Sequence, residues 1–136
     1  MKGIDTNILV YAFDTAYPPK REVCRSIVEG IFLGKERGAV TTQVLAEFAN
    51  AVTKKVEHPL GKGQAAAIVR SILASENWSV FPYLGEDVAG AILEPNPFWD
   101  SLIAKTFSRN SVNKILTENK KHFAGSGVTA INPFES

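Results

Sequence analysis

Cysteine is nearly absent from this chain: Cys24 is the only one in 136 residues. A lone thiol excludes an intrachain disulfide and any zinc site built from several cysteines, and it suits a reducing cytosol. Histidine is almost as scarce, and His58 and His122 lack metal-type spacing. No apolar run approaches the ~20 residues that a membrane helix needs. No basic stretch followed by an apolar core opens the chain, so no secretion signal is evident. Excess charge is missing too. A net charge of +1 does not announce a nucleic-acid surface. It does not exclude one either, because an acidic metal site subtracts from the total while still holding phosphate through its cations.

What is present is enough apolar content for a soluble core: 45% hydrophobic against 21% charged residues. The length fits one domain spanning 1–136, with no internal repeat and no linker. Short apolar runs predict strands at the first residues, at 38–41, 78–82, 114–117 and 128–131. Between them, helical spacing predicts helices after Asp5 and over 20–35, 43–54, 61–76, 84–93 and 98–109. Pro18-Pro19 closes a loop, and Thr6 or Asn7 caps the first helix. Thr42 is the expected cap of the third. Leu73 and Trp99 fall on the inner faces of their helices, and Tyr17 and Tyr83 are taken as core. Strands alternating with helices imply an α/β fold, a central mainly parallel sheet of about five strands covered on both faces. Right-handed crossovers set the ends of the first and fourth strands side by side.

The chemistry lies in the acids. Asp5 sits at the end of the first strand, where open sheets bind ligands. Glu47 flanks the apolar arc of its helix, and Asp100 points inward from the first turn of another. Glu118-Asn119 follows the strand at 114–117. Carboxylates gathered in one place repel each other unless a cation is present, and a hydrated Mg²⁺ or Mn²⁺ asks for a few oxygen ligands. Convergence of these acids therefore argues for a metal. Asp14 is read as a loop or cap residue, and Lys105, Lys120, Lys121 and His122 as solvated.

Four segments carry a resemblance. Asp5-Thr6-Asn7-Ile8-Leu9-Val10-Tyr11 resembles the opening of a PIN domain. Thr41 to Phe48, with Glu47, matches that family's second acid; Phe98 to Ala104, with Asp100, resembles its third; Ile115 to Asn119 resembles its last acidic segment. The compact form is similar to VapC-type toxins of toxin–antitoxin pairs. The resemblance implies a three-layer α/β/α sandwich and an RNA-cleaving, metal-dependent endonuclease. It implies Asp5, Glu47 and Asp100 as the main acids, with Glu118 as a fourth. Asp5, Glu47, Asp100 and Asn119 would hold Mg²⁺ or Mn²⁺. Thr6 and Asn7 would orient Asp5, and Thr117 would bond to it or to a metal-bound water. A small antitoxin, a homodimer and the cytoplasm complete the expectation. Asn119 stands where many relatives carry Asp, so it brings no charge. A catalytically weakened RNA- or protein-binding module is the alternative. A receiver-type phosphoacceptor fits poorly, because the strands at 39–41 and 79–81 end without acids.

Overall fold

The computed structural model describes residues 1–135. Its strands are β1 (Lys2–Ile4), β2 (Gly38–Thr41), β3 (Trp78–Phe81), β4 (Lys114–Leu116) and β5 (Thr129–Ile131). Its α-helices are α1 (Thr6–Tyr11), α2 (Pro18–Phe32), α3 (Thr42–Lys54), α4 (Lys62–Ala74), α5 (Gly85–Ile92) and α6 (Phe98–Arg109), with a 3-10 turn at Lys120–Phe123. No helix among the described residues is long and apolar enough to cross a membrane.

The strands form one sheet in the order β3-β2-β1-β4-β5, and every pairing is parallel. Right-handed crossovers then fix the layers. The steps β1 to β2 and β2 to β3 run one way, which sends α1 to α4 to one face. The steps β3 to β4 and β4 to β5 run the other way, which sends α5, α6 and the 3-10 turn to the opposite face. The packing agrees: α1 meets α2 and α3, α3 meets α4, and α6 meets α5 and the 3-10 turn. The result is the expected three-layer sandwich, all-parallel rather than mainly so.

The inner strands are apolar on both faces because both faces are covered. All four residues of β2 are buried. Phe48 of α3 fills one side of the core and Phe107 of α6 the other. Each such ring contributes roughly 1.5–3 kcal/mol by leaving water. Gly3 of β1 is required by that packing. A Cβ there would stand 2.7 Å from the Phe107 ring and 3.1 Å from the Lys114 carbonyl.

Several local expectations shift. Asp5 itself caps α1, accepting from Thr6 N, so neither Thr6 nor Asn7 is the cap. Thr41 caps α3 through Val44 N, one residue before the expected Thr42. Pro18 and Pro19 lie in the first turn of α2, where a missing N–H costs nothing, instead of closing a loop. Leu73, Trp99, Tyr17 and Tyr83 are exposed, at 58%, 59%, 55% and 44%, because no element among the described residues covers the flank on which each lies.

Candidate active site

The strand order reverses at β1. One connection leads left to β2 and a later one returns to β4, so the C-terminal ends of β1 and β4 flank the point where open parallel sheets bind ligands. Ile4 pairs with Leu116, and Asp5 N donates to the Leu116 carbonyl at 3.0 Å. Asp5 and Thr117 are therefore neighbours although 112 residues separate them.

Asp5 is held by three side-chain or backbone donors. Thr117 Oγ1 donates to Oδ2 at 2.6 Å, Thr6 N to Oδ1 at 2.7 Å, and Asn7 Nδ2 to Oδ2 at 3.3 Å. Thr117 Oγ1 in turn accepts from Asn119 N at 3.0 Å, and Asn7 Oδ1 accepts from Glu118 N at 3.2 Å. This lattice locks the loop after β4 onto the loop after β1. Glu47 arrives from α3, one helical layer away. Its Oε1 accepts from Thr6 Oγ1 at 2.8 Å and lies 3.5 Å from Gln43 Nε2. Thr6 thus ties two acids together, one through its backbone and one through its hydroxyl. Asp100 comes from α6 in the opposite layer. His122 Nδ1 lies 2.9 Å from its Oδ2, a contact whose angle falls short of a hydrogen bond.

Asp5, Glu47, Asp100 and Asn119 wall one cleft of about 390 Å³. Burial pushes the Asp5 carboxyl up to about 6; the Thr117 and Thr6 bonds pull it back, and the nearby Asp100 and Glu47 charges raise it further. Burial raises Glu47 as well, with Asp100 adding to it against the Thr6 bond. Burial also raises Asp100, partly offset by His122. Three acids whose ionised forms are all disfavoured, in a cleft lined with oxygens, suit a divalent cation. Among the described residues no three of His, Cys, Asp and Glu are drawn into a ready coordination shell. Each acid is held instead by its own protein neighbour: Thr117, Thr6 or His122. The donor set fits a hydrated ion that takes few ligands from protein.

Not every expected residue reaches the cleft. Glu118 is turned aside: its carboxylate accepts from Tyr11 Oη at 2.8 Å and is paired with Lys20 Nζ, and it is not part of the cleft wall. Burial alone would raise Glu118, but Lys20 and Tyr11 hold it below the ordinary value. Asp14 makes the turn expected of it, accepting from Ala16 N at 3.0 Å, yet it is buried and borders the cleft. His122 is half-buried against Asp100 rather than solvated. Lys105 is paired with Glu94 at 2.6 Å. Sequence spacing gave no sign of the Asp100–His122 contact, which depends on how the 3-10 turn docks on α6. Cys24 is buried, and burial pushes its thiol up to about 12, so it stays protonated and unreactive.

Comparison with known proteins gives one family and several solved structures of the same fold. The family model for the PIN domain matches residues 3–124. No curated protein matches the chain significantly. Among solved structures, a toxin-antitoxin complex from Klebsiella pneumoniae superposes with a TM-score of 0.69 at 16% identity, covering 100% of both chains. VapBC2 from Rickettsia felis, bound to a DNA fragment from its promoter, gives 0.65 at 18% identity over 96% of this chain and 97% of that one. The Mycobacterium tuberculosis toxin VapC20, described as cleaving the sarcin-ricin loop, gives 0.67 at 11% identity over 92% and 95%.

Proposed function

The chain belongs to the PIN domain family, and from that premise we propose that it is a divalent-metal-dependent endoribonuclease, the toxin of a toxin–antitoxin pair. One observation carries this reading: Asp5, Glu47 and Asp100 reach a single cleft from three separate elements, and all three resist ionisation there. The match to residues 3–124 supports a single domain.

Asp5, Glu47 and Asp100 would hold Mg²⁺ or Mn²⁺, with the Asn119 amide oxygen as a neutral donor. When bound, the ion supplies an activated water and charge stabilisation on the phosphodiester. The chain's own part is positioning. Thr117, Thr6 and Asn7 fix both oxygens of Asp5, so its orientation is set before any ligand arrives. The Thr6 hydroxyl does the same for Glu47. His122 stands beside Asp100 and, when protonated, matches its charge. Partnership with a small antitoxin, pairing of two copies and residence in the cytoplasm belong to the same proposal. The VapC20 description favours RNA as substrate.

A second reading follows from Asn119. With one charge fewer than a four-acid site, the chain would be a weakened RNA- or protein-binding module. The test is purified protein with Mn²⁺ and single-stranded RNA. We expect EDTA-sensitive cleavage that Asp5→Asn lowers at least ~100-fold, beyond the ~10–100-fold typical of supporting residues. Mn²⁺ should also raise the Tm of the parent protein and not of Asp5→Asn. A Tm that ignores Mn²⁺, together with intact RNA, overturns the nuclease reading and leaves the binding module.

A further inference from the structure

Beside the acidic cleft lies a second hollow of about 480 Å³ that shares Glu47 with it. Its other walls include Gln43, Ala46, Asn50, Tyr83 and Trp99. Two features set it apart from an ordinary surface dent. Trp99 and Tyr83 hold large aromatic faces toward water, at 59% and 44% exposure. Gln43 is buried, and its Oε1 has no hydrogen-bond partner among the described residues. The amide orientation is fixed, because Nε2 donates to the Trp99 carbonyl at 2.9 Å and lies 3.5 Å from Glu47 Oε1. The group left over is therefore an acceptor. A buried acceptor without a donor is costly; its oxygen is closed to solvent, so a base would reach it with a small shift of the side chains around it.

We propose that this hollow is a base pocket: it takes a nucleobase of the strand whose phosphate lies at Asp5 and Asp100, stacking it on Trp99 and Tyr83. The pocket rests on the nuclease reading for its substrate class, and it adds the residues that choose the base. Aromatic faces hold any base by stacking, since every base has a π-face. Gln43 supplies the discrimination. Its acceptor favours adenine and cytosine, whose exocyclic amino groups donate at the position where guanine and uracil carry a carbonyl oxygen. The two hollows share Glu47, so a base stacked on Trp99 keeps the adjoining phosphate near the acids.

The test uses the full chain and two readouts. The first is the pair of tryptophan indole signals in a ¹⁵N–¹H spectrum, followed while adenosine, cytidine or uridine is added. The Trp99 signal, identified with Trp99→Phe, should move with adenosine and cytidine and less with uridine, while buried Trp78 stays still. The second is cleavage of RNA oligonucleotides in Mn²⁺. Trp99→Ala should raise KM roughly tenfold with kcat nearly kept, Trp99→Phe should recover most of that loss, and Gln43→Leu should flatten the preference for adenine and cytosine over uracil. If no nucleoside moves the Trp99 signal, the pocket is disproved whether or not RNA is cut. If the signal moves and RNA stays intact, the nuclease reading fails and base binding stands. If Trp99→Ala changes the oligomeric state and leaves KM alone, the face joins two proteins and the proposal is overturned.

Discussion

Asp5 and Asp87 are nearly equally buried, at 3% and 4% exposure, and both bond to the start of a helix. They titrate in opposite directions. Asp87 Oδ2 accepts from Leu84 N at 2.8 Å, and the Arg109 guanidinium grips both its oxygens at 2.9 to 3.1 Å. Burial alone would raise Asp87, but Arg109 and the Leu84 N–H bring it below the ordinary value. Asp5 has comparable neutral donors and no cation among its partners; Asp100 and Glu47 face it instead. Where the protein provides its own positive charge, a buried acid serves the scaffold. Where it withholds that charge, burial leaves the acid hard to ionise.

The largest stability effect expected is at the matched pair. Arg109→Met leaves the Asp87 charge buried without its cation. Breaking such a pair costs ~3–5 kcal/mol when fully buried, and about 2 kcal/mol is expected here because Arg109 is partly in water. Urea denaturation at pH 7 measures it. A loss below half that would mean water already serves Asp87, and the contrast would weaken.

Next comes the unmatched acid. The folded pKa of Asp5 is raised from 3.8 to about 6, so the folded chain binds more protons than the unfolded one between those values. This contribution is fully present below pH 4 and is lost as pH rises through about 6. At about 1.4 kcal/mol per unit the loss is at most ~3 kcal/mol. Asp5→Asn removes it, and Asn still caps α1. The variant should gain about 1–2 kcal/mol at pH 7.5 without metal, and the gain should shrink toward zero near pH 4. Thermal melts across that range decide it. A variant less stable than the parent at pH 7.5 would show that Asp5 serves the fold as Asp87 does.

The smallest effect belongs to Glu118, whose ion pair with Lys20 is partly exposed. Glu118→Gln should change stability by less than ~1 kcal/mol and RNA cleavage by no more than a few-fold. A loss as deep as that of Asp5→Asn would return Glu118 to the cleft.

Sequence periodicity located every strand and helix to within a few residues, because the inner strands are apolar on both faces and the helices amphipathic. Handedness set the ends of β1 and β4 side by side, and the resemblance to the family supplied the bond between Thr117 and Asp5. Periodicity went astray where the answer depends on which flank a neighbour covers. Trp99 follows the spacing of its helix's inner residues, yet the layer does not extend over it. Glu118 and Asn119 are adjacent, and the bend after β4 sends Asn119 to the cleft and Glu118 toward Lys20. Asp100 and His122 meet only because the 3-10 turn docks on α6.

The pairing of β1 with β4 has a temporal consequence. Residues 3 and 4 wait for 115 and 116 before their ladder can close, and Asp5 lacks its Thr117 partner until then. A chain still emerging from the ribosome with β4 inside the exit tunnel has no assembled cleft. Whatever the cleft does therefore begins only after residues 114–117 have left the ribosome and joined β1.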